Sequence, residues 1–230
     1  MKPFATLAET ETPDGKRLSL HERDGVFFIY LNGQQLMSSR ATSSETRLAE
    51  LACAKIDRGA ADRVLIGGLG LGFTLRRALQ LVGDQAKVEI NELISAILDW
   101  NREHLKSVNG DLLDDPRVKI RLRDVAVTIQ NSEPEFYAAM MLDVDNGPVA
   151  MVSKSNRQLY TVDGLLKIAR ALTTGGRAVF WSASKDDFFL KRLKKVGFKT
   201  NVVPSRAYPE AKKETHVLYQ AEKTSRTGIK

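Results

Sequence analysis

The order of apolar runs predicts an α/β protein with a doubly wound, mostly parallel sheet, one antiparallel edge strand and a small β meander in front. Three observations carry this. Short branched or aromatic runs alternate with helix-period segments from about residue 62 onward, a glycine-rich turn joins the first such run to a basic amphipathic segment, and the first 40 residues carry hairpin signals instead. Strands separated by helices of this length imply a parallel or mostly parallel sheet covered on both faces.

Taken in order, "KRLSLHER", "GVFFIYLNG" and "QQLMSS" alternate or carry branched and aromatic side chains, and "DG" at 24–25 and "NG" at 32–33 supply the turns, so residues 1–42 read as a three-stranded meander. It is too small to hold a core of its own and is expected to pack on the main body or on a second subunit. In "SSETRLAELACAKI" a serine can cap, and Leu48, Leu51, Ala52 and Ile56 recur at helical spacing. The main unit, 43–230, starts there. "DRVLIGG", "AKVEI", "VKIRLRD", "YAAMMLDV", "RAVFWSA" and "THVLYQAEK" read as strands, with "FTLRRALQLV", "LISAILDWNREHL", "TVDGLLKIARAL" and "DDFFLKRLKKVG" as the helices between them. The last strand can lie reversed at the sheet edge.

Composition bounds the function. With 230 residues and 43% hydrophobic content the chain can bury one substantial core. A single cysteine, Cys53, excludes an internal disulfide framework and a cysteine-rich zinc site, and its apolar surroundings read as those of a buried inert thiol. His21, His104 and His216 show no metal-ligand spacing, so no metal is expected. The net charge of +7 is spread along the chain without aromatic interleaving, which argues against a nucleic-acid partner. No run approaches the roughly 20 apolar residues of a membrane span, and a cytoplasmic location is the expectation.

The segment "VLIGGLGLGFTLRRAL" concentrates the chemistry. Gly68, Gly70 and Gly72 permit a tight turn and a close ligand approach at the carboxyl end of a strand, where open α/β sheets bind their ligands. The G-K-[ST] ending of a phosphate-gripping loop is missing. Glu89, 17 residues beyond Gly72, is read as the end of the second strand, where a carboxylate can accept both hydroxyls of a ribose. Asp124 ends the third, positioned either to accept from an adenine amino group or to cap the residues that follow. Asp143 follows the fully apolar fourth strand, with Asp145 and Asn146 on the loop beyond; a carboxylate here can orient an amine, take its proton or hold a cation, and "DNGP" also reads as a plain turn. Trp181 reads as rim or core.

"VLIGGLGLG", "VEINELI", "DPRVKIRLRD" and "MLDVDNGP", in that order, resemble the motifs of the spermidine/spermine synthase family within the class I S-adenosylmethionine-dependent methyltransferase fold. The resemblance implies a Rossmann-like domain whose Gly68, Gly70 and Gly72 line a pocket for S-adenosylmethionine or its decarboxylated form as co-substrate, with Glu89 on the ribose and Asp124 at the adenine. It implies that Asp143 is the catalytic aspartate of an aminopropyl transfer, that Asp145, Asn146 and Tyr160 lie toward the second substrate, a small molecule such as an amine, and that the chain pairs as a homodimer. The departures are specific. Asn146 stands where the family's second aspartate falls, Leu69 and Leu71 interrupt a loop that is typically "GGGDGG", and of a tyrosine-histidine-glutamate segment only Glu45 in "SSETRLAE" matches. Methyl transfer to a small molecule, a non-catalytic member of the fold and a nicotinamide-dependent dehydrogenase are the competing readings.

Overall fold

The structure is a computed structural model, and it describes residues 4–144, 154–208, 210–211 and 213–228. The chain begins with a four-stranded antiparallel meander: β1 (Ala5–Glu11), β2 (Arg17–Arg23), β3 (Val26–Leu31) and β4 (Gln34–Ser38). Asp24, Gly25, Asn32 and Gly33 all take positive φ, so both two-residue hairpins turn where "DG" and "NG" predict. β1 is a strand more than the sequence reading finds. Its "ATLAETE" lacks branched and aromatic side chains, and it is recruited by its pairing with β2.

After α1 (Ser43–Cys53) the main sheet is built from β5 (Arg63–Gly67), β6 (Lys87–Glu92), β7 (Val118–Leu122), β8 (Tyr137–Leu142), β9 (Leu172–Ser182), β10 (Lys199–Ser205) and β11 (His216–Glu222), in the order β10-β11-β9-β8-β5-β6-β7. Five strands from β7 to β9 are parallel, and β11 runs antiparallel to both of its neighbours. The fold class is the one the sequence predicts. In detail, the reversed strand lies one place in from the edge because β10, "KTNVVPS", pairs outside it; Pro204 is tolerated there because an edge strand needs no outward ladder. β9 also runs back through "TTGG", where Gly175 at φ +85 takes an irregular step in the ladder.

Two cores flank the sheet. One joins the meander's Leu18, Leu20, Phe27, Ile29 and Leu31 to α1, α2 (Phe73–Leu81) and α3 (Ser95–Glu103), with the short α4 (Lys106–Asn109) at its margin. The other packs α5 (Val125–Asn131), α6 (Val162–Ala171) and α7 (Asp187–Val196) on the opposite face. The meander's inward face is therefore continuous with the first core and roofs one end of the sheet. Strand order reverses between β5 and β8, which puts the switch point, where ligands bind in such sheets, directly after Gly67 and Leu142. Among the described residues no helix is long and apolar enough to cross a membrane.

Candidate functional site

Two adjoining cavities open at that switch point. The first lies over the carboxyl ends of β5 to β8 and under the meander, lined by the glycine loop, Asn91 to Ile94, Arg123 to Val125, Asp143 and the roof residues Leu18, Ile29, Leu36 and Met37. Its wall is mostly apolar.

The loop is shaped by the chain itself. Gly68 sits at φ +87, its N–H donates to Asn91 O at 2.9 Å, and a Cβ there would come within 2.6 Å of the Asp143 carbonyl oxygen. Gly70 sits at φ +52 beneath Met37, whose Sδ and Cε would each be 2.7 Å from an added Cβ. At Gly68 only glycine meets both the backbone angle and the approach; at Gly70 the left-handed φ favours glycine, while the end of the Met37 side chain can move. Gly72 precedes α2, and Asn101 and Asn109 anchor the loop by donating to Gly70 O at 2.9 Å and Leu71 O at 2.6 Å.

The carboxylate that meets this loop is Glu92. It is buried, and accepts from Leu69 N–H at 2.9 Å, Leu93 N–H at 2.7 Å and Ile94 N–H at 2.9 Å, so one side chain ties the glycine loop to the start of α3. Burial pushes its pKa up against the downward pull of those N–H groups. Glu89 is elsewhere. β6 runs three residues past it, and since side chains alternate across a sheet, an odd step puts the two glutamates on opposite faces. Glu89 lies beside Leu65 in the ladder and pairs with Arg121 at 3.5 Å, outside both cavities. The expected position at the strand's end thus passes to Glu92. A strand scored by alternation to its last apolar residue, Ile90, would have pointed past Glu89.

Asp124 makes the cap, its Oδ1 accepting from Ala126 N–H at 2.8 Å at the start of α5, and the residue also lines the first cavity. Asp143 directly follows β8, with its N–H donating to Gly67 O at 3.2 Å, and lines both cavities. Asp145 and Asn146 lie outside the described residues. Tyr160 is not in either cavity; it is buried in the second core with its ring 5.2 Å from that of Phe189 and 6.0 Å from that of Phe180. The signal was local: "QLYTVDGLL" leads an amphipathic helix, and Tyr160 stands two residues before it on the apolar side.

The second cavity is bounded by β4, the start of α1, Trp181, Tyr208 and His216, and shares Leu36, Met37, Glu45, Asp143 and Val144 with the first. Glu45 is buried, accepts from Ser44 Oγ at 2.6 Å, and is pushed up in pKa by burial. Trp181 and His216 pack in a tilted arrangement with ring centroids 4.8 Å apart. Glu45 and Asp143 are the carboxyls common to both spaces among the described residues.

The chain has relatives in sequence and in fold. A polyamine aminopropyltransferase of Mycobacterium tuberculosis is 28% identical over 159 residues, covering 68% of this chain and 29% of its own length. Putrescine N-methyltransferase 2 of Nicotiana tabacum is 29% identical over 114 residues, covering 50% and 30%. Spermidine synthase from Thermotoga maritima superposes with a TM-score of 0.71 at 21% identity, covering 97% of this chain and 74% of that one. Sequence and structure point to the spermidine-synthase-like branch of the S-adenosylmethionine-dependent transferases. No protein-family model matches the chain. The chain spans about three tenths of the length of the mycobacterial relative it matches. A probable spermidine synthase from Corynebacterium glutamicum adds the same fold at a TM-score of 0.67 and 16% identity, over 96% of this chain and 81% of its own.

Proposed function

We propose that the chain transfers an aminopropyl group from decarboxylated S-adenosylmethionine, bound in the first cavity, to an amine bound in the second. One observation carries this reading: Glu45 and Asp143 stand where the two cavities meet. A sulfonium donor supplies a carbon bonded to positive sulfur, ready for in-line displacement, so the protein's task is mainly alignment.

The residues of the first cavity fit such a ligand. Glu92 is the carboxylate at the glycine loop, held there by the N–H groups of Leu69, Gly70, Leu93 and Ile94, and a carboxylate is the acceptor a ribose hydroxyl needs. Leu69, Ile94 and Val125 offer apolar faces to a purine, and Asp124 an acceptor to its amino group. Gly70 keeps the floor low. The decarboxylated chain ends in an ammonium group, which the junction carboxyls match, whereas a full methionine chain brings a carboxylate that needs a cation. Arg123 is the cation lining the first cavity among the described residues, and it adjoins Asp124 at the purine end.

Methyl transfer is the second reading, favoured by the similarity to putrescine N-methyltransferase and by the apolar Leu36 and Met37 at the junction. Calorimetric titration with both sulfonium compounds, followed by mass-spectrometric detection of product over an amine panel, tests the two. Tighter binding of the decarboxylated compound with a mass gain of one aminopropyl group is expected. Preference for S-adenosylmethionine with a methyl gain would replace the first reading by the second, and no heat with either would overturn both.

A further inference from the structure

We propose that His216 takes the proton from the acceptor amine in the second cavity, an inference that rests on the transferase reading above. An alkylamine is largely an ammonium ion at neutral pH, with no lone pair to give. One proton must therefore leave before transfer. The N–H bond breaks with its electron pair kept on nitrogen, and the proton goes to His216 Nε2; that same pair then forms the new N–C bond while the C–S pair stays on sulfur. The imidazolium returns its proton to solvent.

Geometry places His216 for this. It opens β11, lines the second cavity together with Asp143 and Glu45, and packs against Trp181 in a tilted arrangement at a centroid distance of 4.8 Å and an interplanar angle of 38°. Its Nδ1 lies 3.1 Å from Thr215 Oγ1. When Nδ1–H donates to that hydroxyl, the lone pair of the ring sits on Nε2, which has no partner among the described residues. The indole face then supports the cation formed after proton transfer. The titratable groups facing the ring across this cavity are Glu45 from α1, Asp143 after β8 and Tyr208 from the β10–β11 connection; no lysine or arginine lines it among the described residues. Half-burial lowers the His216 pKa and keeps the ring neutral and proton-accepting at pH 7. The cavity's other bases are carboxyls: Glu45 is buried and already accepts from Ser44 Oγ, and Asp143 follows β8.

The test uses the full chain labelled with 15N in its histidine rings, His216 being assigned by comparison with His216→Gln. The expected result is a bare Nε2 at pH 7 and a titration below the ordinary value of 6.5. A protonated Nε2 in the neutral ring, or a titration above pH 7, would overturn the proposal without any turnover. In parallel, amine transfer is followed from pH 5.5 to 9. Wild type should slow as pH falls through the His216 pKa, and His216→Gln should lose about 100-fold in kcat with a flattened acid limb and little change in KM. An unchanged acid limb in the variant removes His216 alone. Absence of transfer by wild type from either sulfonium donor removes the transferase reading, and this proposal with it.

Discussion

The carbonyl oxygen of Asp143 lies 2.6 Å from the point where a side chain on Gly68 would begin. Asp143 N–H also donates to Gly67 O, so the turns after β5 and β8 are locked to each other at the place where strand order reverses. Gly68→Ala would add left-handed strain at φ +87 and a collision with backbone that no rotamer can relieve. A loss of about 2–4 kcal/mol in urea denaturation is expected. Gly175→Ala is the control: φ is +85 but nothing lies within 4 Å of its Cβ, so only the strain, about 1–2 kcal/mol, should appear. Equal losses in the two variants would show that the Asp143 contact is unimportant.

Glu92 and Glu89 make opposite predictions. Glu92→Gln replaces one acceptor oxygen by an NH2 group that faces N–H donors, which should cost about 1–3 kcal/mol and weaken sulfonium-ligand binding more than tenfold. Glu89→Ala removes a partly exposed pair with Arg121 and should cost less than about 1 kcal/mol, with ligand affinity intact. Calorimetry on both proteins decides; a binding loss confined to Glu89→Ala would return the ribose role to that residue.

Much of this site is legible because it sits at strand ends, where an apolar run stops and a polar residue begins. Asp143 after "YAAMML" and the glycines after "RVLI" are such endings, and both reach the switch point. Glu89 fails the same reasoning for a physical reason. β6 is "KVEINE", whose last buried positions, Asn91 and Glu92, are polar and are held by bonds from Thr128 and from three backbone N–H groups. A polar residue buried by its partners looks, in sequence, like the start of a loop. β10 is hidden likewise, since Lys199, Thr200, Asn201 and Pro204 suit an edge and offer no alternation to read. The second cavity is assembled from β4, α1, Trp181 and His216, elements far apart in the chain, and no local pattern announces it.

Tyr160 tests the boundary between site and core. Its ring packs with Phe180 and Phe189 on the face of the sheet carrying α6 and α7. Tyr160→Ala should therefore cost about 3–5 kcal/mol of stability, as truncation of a buried aromatic does. Tyr160→Phe keeps the ring, and ligand affinity should stay within twofold of wild type. A large rise in the amine's KM for Tyr160→Phe at unchanged stability would instead put the hydroxyl at the acceptor.

Glu45 links the site to the pH dependence of folding. Its side chain is buried beside Ser44, and desolvation raises its pKa above the ordinary 4.5. For a carboxyl shifted this way the native state binds the proton more tightly than the unfolded chain, so its stabilising contribution is full below pH 4.5 and is lost as pH rises through the folded-state value. Glu45→Gln keeps the acceptor for Ser44 and removes the buried charge. At pH 8 the variant should be more stable than wild type by on the order of 1 kcal/mol, about 2–4 °C in a chain of this size, while the two should melt together near pH 4. Thermal melts at half-unit steps between those limits check the slope as well as the end points. If the difference is flat across pH, Glu45 is not titrating in the native state; if it is reversed, the carboxylate is held by a cation, and its place at the junction of the cavities would have to be read as an anion-holding one. The stability gained at pH 8 should carry a loss in amine binding, because the same buried carboxyl that burdens the fold is the one offered to a cationic ligand.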